Sequence, residues 1–195
     1  MERSKERWYV LQTRPGNEEA ACGLLTRLRR RNPKLCFDVR ILKKRKVFRS
    51  GGALHVLEDR LFPGYLFVRT AQPEELRRAL DASRALPRFF CCESGREGIV
   101  PVEAADLAFL QSVCGQELQQ PMGITEIAVG EHKEILRPRG VLKPYVSRVV
   151  RLNLHKRFAV AEIPLFNRRQ EILFAIRLEQ DRTEPGTGRA AIRET

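Results

Sequence analysis

Histidine and cysteine, the side chains best suited to catalysis or metal binding, are few in this sequence and widely spaced. The histidines are His55, His132 and His155, and the five cysteines form no C-x-x-C pair, although Cys91 and Cys92 are adjacent. Walker, G-x-S-x-G and H-E-x-x-H motifs do not occur, nor does a G-x-G-x-x-G turn after a strand. We therefore predict no enzyme activity, no metal and no cofactor, with thiols kept reduced in the cytoplasm.

Charge is the stronger chemical signal. Lys and Arg number 36 against 24 Asp and Glu, which gives a net charge of +12 and a pI of about 10.1. Such an excess favours a polyanionic partner, most often nucleic acid. Residues 1–7 contain no apolar signal core, and no apolar run reaches membrane-spanning length. These features predict a cytoplasmic, monomeric protein without a membrane partner.

An aromatic stretch, Leu61-Phe62-Pro63-Gly64-Tyr65-Leu66-Phe67-Val68, offers a surface for binding. Its aromatic and aliphatic second half predicts a strand, and Pro63-Gly64 predicts a kinked entry to it. With a two-residue period, Tyr65 and Phe67 share one face. Two readings stay open: core covers both faces, or an aromatic docking surface surrounds Phe62 and Tyr65.

The elements around this stretch follow from apolar periodicity. The pattern predicts strands at residues 8–11, 37–41 and 98–100, and a helix capped by Asn17 that ends before Asn32-Pro33. A second helix opens at Pro73. A third has Gly115 as its C-cap and an inward set of Ala104, Leu107, Leu110 and Cys114. Strands with interspersed helices predict an α+β sandwich.

A hairpin is predicted at residues 43–57, with a turn at Ser50-Gly51-Gly52 and five cations on its first arm. Lysines on an edge strand often serve only to prevent aggregation. Five cations within seven residues exceed that need, so a phosphate-facing hairpin is slightly favoured.

Residues 8–18, Trp-Tyr-Val-Leu-Gln-Thr-Arg-Pro-Gly-Asn-Glu, together with the 61–68 stretch, resemble the N-terminal domain of the NusG family of transcription elongation factors. The order of helix, hairpin, aromatic strand and helix is also similar. The resemblance implies a NusG-type domain at 7–115, with an antiparallel sheet flanked by helices.

The remainder predicts a linker and a small barrel. Residues 116–126 are polar and broken by Pro and Gly, which predicts an interdomain linker. Short strands without helix signals, including 146–152, 158–165 and 172–176, predict a small barrel at 127–180, for which the resemblance implies an SH3-like fold. Residues 181–195 predict a disordered tail.

The barrel segment resembles the KOW domain that follows in NusG-like proteins. Gly140, a hairpin and residues 163–168 lie where that family has its glycine, hairpin and exposed aromatic. Val141-Leu142, Ser147 and Asn167 depart from the usual residues. On alternation, Ala159, Ala161, Ile163 and Leu165 face the interior, which leaves Phe158, Val160 and Phe166 as an exposed partner patch unless linker or tail covers them.

The resemblance implies a protein that binds the clamp helices of the RNA polymerase largest subunit. Phe62 and Tyr65 would be the anchors, with Phe67 and Phe89 or Phe90 in support. Candidates for contact with upstream or non-template DNA are Arg14, Lys43, Lys44, Arg45, Lys46, Arg77 and Arg78. A leader RNA hairpin would meet a basic group on the barrel, formed by His155, Lys156, Arg157, Arg168 and Arg169.

The charge and the altered KOW residues favour a specialised branch of the family, similar to the LoaP-like and RfaH-like proteins. That branch implies processive antitermination after recruitment by nucleic acid. Two alternatives stay open. One is a housekeeping factor that couples polymerase to a ribosomal protein or to Rho, and the other is an RNA-binding barrel protein that acts without polymerase.

Overall fold

The computed structural model describes residues 5–51, 53–90 and 99–183. The chain divides into two units. The first contains the described residues of Met1–Lys44, Asp59–Met122 and Pro164–Arg169, and the second those of Arg45–Glu58, Gly123–Ile163 and Gln170–Thr195. The predicted features at Cys91, Cys92 and Gly98, and the predicted tail after residue 183, lie outside the described residues.

Up to Cys114, the described residues form six strands and three helices. The strands are β1 (Arg7–Gln12), β2 (Phe37–Arg40), β3 (Lys43–Ser50), β4 (Ala53–Arg60), β5 (Tyr65–Thr70) and β6 (Arg88–Phe89). The helices are α1 (Glu18–Arg31), α2 (Pro73–Asp81) and α3 (Ala104–Cys114). Strands and helices occur together as the sequence predicts, and the α+β class is confirmed.

The antiparallel sheet of the first unit has the order β2-β5-β1-β6, and β3 and β4 pair as a separate hairpin. Strand β5 is paired along both edges, with Val68 opposite both Tyr9 and Val39. Leu66, Phe67 and Val68 are fully buried, so core covers both faces of this strand. The aromatic residues of β5 therefore do not form an open face.

The buried face agrees with the apolar periodicity in two of the three helices of this unit and differs from it in the third. In α1 the buried apolar residues are Ala21 and Leu25, and in α2 they are Leu76 and Leu80, as expected of amphipathic helices. The inward set predicted for α3 was wrong at Ala104, which is exposed. Helix α3 instead buries Asp106, Phe109, Leu110, Val113 and Cys114. Apolar residues occur all around this helix, so periodicity alone does not determine its inner face.

Two further expectations in the first unit need correction. Ile99 and Val100 lie outside any strand, and the edge of the sheet next to β1 is formed by β6. The segment predicted as a polar linker packs against the chain. Leu118 and Met122 are buried, and the Met122 amide donates to the Lys43 carbonyl at 2.8 Å.

The second unit is built on a curled five-stranded sheet, consistent with a small barrel. Its strands are β7 (Thr125–Val129), β8 (Ile135–Arg139), β9 (Val149–Asn153), β10 (Phe158–Leu165) and β11 (Arg168–Leu178), in the order β8-β7-β11-β10-β9. Strand β9 begins later than predicted, because Lys143–Arg148 forms a 3-10 helix with Pro144 in its first turn. No helix among the described residues is long and apolar enough to cross a membrane.

Gly140 is required where the chain passes close to the start of β7. Its φ is +131°, and a Cβ placed there would lie 2.9 Å from the Ile124 carbonyl oxygen and 3.0 Å from the Thr125 Cα. A side chain at this position would displace backbone, which accounts for a glycine here.

Candidate functional site

The Phe62-Pro63-Gly64-Tyr65 loop is held in place by contacts from the β1–α1 connection. The Thr13 amide donates to the Gly64 carbonyl at 2.9 Å. Gly64 has a φ of +84°, and a Cβ there would meet the Thr13 carbonyl oxygen at 3.1 Å. This close backbone approach needs glycine, and it determines where the aromatic side chains on either side of the loop point.

Glu18, at the first position of α1, is the anchor of this loop and is fully buried. Its Oε1 accepts hydrogen bonds from the Gly64 amide at 2.6 Å and the Gly16 amide at 3.1 Å. Its Oε2 lies 2.8 Å from Arg60 Nε at the end of β4. Burial by itself raises the pKa of the Glu18 carboxyl, but these amide donors and the Arg60 charge outweigh burial and hold the pKa below its usual value.

The aromatic residues around the loop form two pairs, and the side chains of one pair are more exposed than those of the other. Phe62 packs against Phe67 with ring centroids 5.9 Å apart, and both rings are buried. Tyr65 meets Phe90 edge to face at 5.5 Å, and both of these are half-buried. Phe89 turns instead toward Tyr9, at 6.0 Å. Of the two supporting residues predicted from sequence, Phe90 is the one beside Tyr65.

The turn at Phe166 covers Phe62. The Phe166 ring lies 6.0 Å from that of Phe62 and 6.2 Å from that of Phe67, within the first unit. The Phe166 amide donates to Asp106 Oδ2 at 3.0 Å, and Arg168 Nη2 donates to the Tyr65 hydroxyl at 3.3 Å. The structure therefore joins residues that are about a hundred positions apart in sequence into one aromatic cluster.

Asp106 is a buried carboxyl at the start of α3. Burial raises the pKa of the Asp106 carboxyl, and the negative charge of Glu103 raises it further. The hydrogen bond from the Phe166 amide lowers the pKa but does not outweigh burial. A carboxylate in such a position needs its amide donor, so the Phe166 contact and the ionised state of Asp106 support each other.

Comparison with known proteins gives this arrangement a family. The family model described as "Transcription termination factor nusG" matches residues 6–111, more than half of the chain. This chain belongs to the NusG family. NusG-family proteins are non-enzymatic transcription factors that bind RNA polymerase. No curated protein matches the sequence.

A solved structure entitled "Domain interaction in Thermotoga maritima NusG" is similar to this NusG-family chain. It shares 15% sequence identity at a TM-score of 0.45, and the match covers 88% of this chain and 94% of that one.

The basic residues that the sequence singles out are mostly on the surface. Lys44 and Lys46 are half-buried, and Arg157 is buried. The exposed members are Arg14, Lys43, Arg45, Arg77, Arg78, His155, Lys156, Arg168 and Arg169. Arg77 also forms ion pairs along α2 with Glu74 at 3.2 Å and Asp81 at 3.6 Å, so part of its charge is balanced locally.

Arg157 occupies a structural position. Its Nε and Nη2 donate to the two carboxylate oxygens of Asp181 at 2.9 and 2.7 Å, and Nη1 donates to the Leu154 carbonyl. Asp181, the first residue of the predicted disordered tail, lies in a 3-10 helix, Glu179–Thr183. The disorder predicted for residues 181–195 stays a prediction, although Asp181 itself is held by Arg157.

The predicted patch on the second part of the chain is only partly available. Phe158 is half-buried with the Arg151 guanidinium 5.6 Å from its ring centroid, and Phe166 is half-buried in the cluster described above. The expected exposure of Val160 was wrong, since its side chain is 2% exposed. A register shift between Val160 and Ala161 breaks the alternation, so consecutive residues of β10 face inward.

Sequence reasoning missed Glu18, Arg60 and Asp106 as determinants of the site. Glu18 and Glu19 are both acidic residues in the first turn of α1, where a negative charge stabilises a helix N-terminus. No local sequence signal indicates which of the two is buried. Only the fold brings Gly64 to Glu18. Among the described residues, no three His, Cys, Asp or Glu side chains lie close enough together to hold a metal ion.

Proposed function

We propose that this NusG-family protein is a specialised elongation factor that promotes processive antitermination and is recruited by nucleic acid. Residues 7–115 would form the domain that docks on the clamp helices of the RNA polymerase largest subunit, and residues 127–180 the KOW domain. The observation that supports this docking is the half-buried Tyr65–Phe90 pair, which lies in the segment that matches the family.

An aromatic pair is the expected centre of such an interface. Rigid aromatic side chains bury a large apolar area at little cost in conformational entropy, and they dominate the free energy of many protein interfaces. Tyr65 also keeps a polar hydroxyl, which Arg168 contacts. Phe67 is fully buried with its ring 5.9 Å from that of Phe62, and it does not reach a partner itself.

Phe62 becomes available to the polymerase only if Phe166 moves away. At present Phe62 is 7% exposed beneath the Phe166 ring. The turn that carries Phe166 is held by the hydrogen bond from its backbone amide to Asp106 and by the hydrogen bond from Arg168 to the Tyr65 hydroxyl. We propose that polymerase docking and the Phe166 contact are alternatives, so that the turn lowers polymerase affinity until it is displaced.

The docking proposal is tested by the affinity of the full chain for core RNA polymerase and for an isolated clamp-helix fragment. Tyr65→Ala and Phe90→Ala should each weaken binding by about 30-fold, which corresponds to roughly 2 kcal/mol. Glu75→Ala, an exposed change on α2, is the matched control. If Tyr65→Ala and Phe90→Ala bind like the control and melt like the wild type, the docking surface lies elsewhere.

The covering turn has its own test. Phe166→Ala removes the ring over Phe62 and should raise polymerase affinity, because the competing contact is lost. Phe158→Ala, another half-buried phenylalanine of the second half of the chain, serves as the control. Equal affinity of Phe166→Ala and wild type would show that Phe62 takes no part in docking.

Recruitment by a leader RNA hairpin would use the exposed basic residues Lys156, Arg168 and Arg169, with exposed His155 next to Lys156 in sequence. Arg157 is excluded because Asp181 already binds its guanidinium. If four to six phosphates are contacted, the logarithm of the affinity should fall with the logarithm of salt concentration at a slope of about −3 to −5. Lys156→Gln should make that slope shallower, and a salt-independent affinity would contradict RNA recruitment through this group.

A further inference from the structure

A cleft in the first unit lies between the end of α1 and the start of α2, and its volume is about 380 Å³. Leu35, Ala79 and Pro33 supply the apolar part of its lining. Leu35 is 7% exposed and belongs to the hydrophobic core of this unit, and half-buried Ala79 packs against the same core. The volume lies within the range of ligand pockets, about 300 to 1,000 Å³. We call this feature the α1–α2 cleft.

Hydrogen bonds tie the two walls of the α1–α2 cleft together. The Leu35 amide donates to the Asn32 carbonyl at 2.9 Å, which forms the turn after α1. The Cys36 amide donates to Gln72 Oε1 at 3.0 Å, next to α2. Thr70 Oγ1 donates to the Cys36 carbonyl at 2.8 Å and accepts from the Gln72 amide at 2.9 Å. The walls are therefore fixed before a partner arrives, which lowers the ordering cost of binding.

The side of the cleft that α1 supplies is basic. Residues 27–34 contain five cations and no acidic residue, and two of these cations, Arg31 and Lys34, line the cleft and are exposed. Cations in the last turn of a helix complement its macrodipole, which accounts for Arg31. Lys34 lies beyond Asn32, the C-cap of α1, so the macrodipole does not account for it. Among the described residues of the lining, Glu75 is the one acidic side chain.

An apolar lining beside two cations selects an acidic peptide that also carries an apolar side chain. The apolar side chain fills the cleft, and carboxylates meet the basic side by charge complementarity. Nucleic acid fits these features less well. The described lining contains no aromatic ring on which a base could stack, and Glu75 would repel a phosphate backbone that crosses the cleft.

We propose that the α1–α2 cleft binds an acidic segment of a partner protein, with an apolar side chain against Leu35 and carboxylates at Arg31 and Lys34. This surface shares no residue with the Tyr65–Phe90 pair. The inference goes beyond the proposed function and does not depend on the polymerase contact.

The test uses the full chain without polymerase and a short labelled peptide in which glutamates flank one leucine. Fluorescence anisotropy at physiological ionic strength measures the affinity. Replacing the leucine of the peptide by serine should weaken binding by about 10-fold or more, as expected for the loss of one buried leucine side chain. Replacing its glutamates by glutamines should also weaken binding, because the charge complementarity is lost.

Paired charge variants locate the site on the protein. Arg31→Gln combined with Lys34→Gln should weaken binding by between about 2-fold and 30-fold, the range for two exposed ion pairs. Arg27→Gln combined with Arg30→Gln is the matched control, because it removes the same charge from exposed residues of α1 that do not line the cleft. It should change the affinity by less than about 2-fold, since salt screens distant charges. Glu75→Gln should strengthen binding, because it removes a like charge.

Filling the cleft tests the position of the apolar side chain. Ala79→Leu places a larger side chain in the cleft and should weaken binding by about 10-fold or more, because it takes the space of the peptide leucine. Ala82→Leu is the control, since Ala82 is exposed at the C-cap of α2 and does not line the cleft. Thermal melts of both variants separate loss of binding from loss of folding.

Four outcomes would overturn the proposal. The first is that the wild type does not bind the peptide at millimolar concentration. The second is that the Arg31 and Lys34 double variant binds like its matched control, and the third is that Ala79→Leu melts like the wild type and binds like Ala82→Leu. The fourth is that a single-stranded oligonucleotide of equal charge binds the cleft more tightly than the peptide, which would make nucleic acid its ligand. Because polymerase is absent, none of these outcomes bears on the Tyr65–Phe90 docking surface.

Discussion

Glu18→Gln is the change that probes the architecture of the site most directly. The carboxylate of Glu18 is fully buried and accepts from the amides of Gly64 and Gly16, with Arg60 Nε 2.8 Å from its second oxygen. Glutamine keeps one carbonyl oxygen for the amides. It removes the charge and directs an NH2 group toward a guanidinium, so a donor faces a donor.

The expected loss in the free energy of unfolding follows from the hydrogen bonds that Glu18→Gln weakens or removes. Hydrogen bonds to a charged group are worth about 1.5 to 3 kcal/mol each, and a buried donor left unpaired costs about 1 to 3 kcal/mol. Glutamine weakens two such bonds and breaks the contact with Arg60, while it preserves side-chain volume. We expect a loss of about 2 kcal/mol in the free energy of unfolding, or about 4 to 8 °C in Tm for a chain of this length.

Glu19→Gln is the control beside it in sequence. The Glu19 side chain is 58% exposed and pairs with the same Arg60, so its loss should cost less than about 1 kcal/mol. Thermal unfolding of the two variants and the wild type, followed by circular dichroism, gives the comparison. Equal Tm values for Glu18→Gln and Glu19→Gln would refute the reasoning from burial.

The pH dependence of Glu18→Gln supplies a second readout. Because the pKa of Glu18 is lowered in the folded state, its stabilisation is fully present above the unfolded pKa of about 4.3 and is lost as pH falls through the folded value. The difference in Tm between wild type and Glu18→Gln should therefore shrink below about pH 4. A constant difference down to low pH would indicate that packing, and not charge, stabilises the loop.

Three other changes are predicted with their measurements. Gly64→Ala should lower Tm by several degrees, corresponding to at least about 1 kcal/mol, because its φ is +84° and its Cβ would meet backbone. Gly23→Ala, which lies in open space on α1, should raise the free energy of unfolding by up to about 1 kcal/mol. Thermal melts check both predictions, since the two changes in Tm should have opposite signs. Arg157→Ala should cost about 2 to 3 kcal/mol in urea unfolding, because the buried Asp181 carboxylate loses its two hydrogen bonds from Arg157 but keeps the Leu178 amide at 2.8 Å and Arg49 at 3.9 Å, and a cost below about 1 kcal/mol would contradict that account. Burial raises the pKa of the Cys114 thiol to about 12, so iodoacetamide at neutral pH should alkylate exposed Cys36 first, as read by peptide mass mapping; earlier labelling of Cys114 would show that its environment opens.

Much of the fold was predictable because its signals are local. The strand at residues 8–11, helix α1 and the β3–β4 hairpin follow from periodicity, caps and turn residues that lie within a few positions of one another. The face of α3 and the burial of Val160 were not predictable in the same way. The first lacks a one-sided apolar pattern, and the second depends on a bulge that only pairing with β9 reveals.

The candidate site was predictable in its residue types but not in its arrangement. Tyr65 and Phe90 were candidates from sequence, and the fold brings them together at 5.5 Å. Nothing in the sequence indicates that Phe166 covers Phe62 or that Asp106 accepts from its amide. Such contacts depend on the complementary shapes of segments that are distant in sequence. They stabilise the protein only after these segments have packed together, so no short stretch of sequence indicates them.

The sequence by itself determined the family, the α+β class, the basic character and the positions of most helices and strands, because these depend on composition and on short-range pattern. Only the tertiary structure decided that Glu18 rather than Glu19 anchors the Gly64 loop, that Arg157 is bound by Asp181, and that Phe48 stacks on His55. For Glu18 and Arg157, taking the charge out of water costs free energy, and pairing it with a partner that the chain places there recovers that free energy. That cost and that gain arise from burial, which no local pattern encodes.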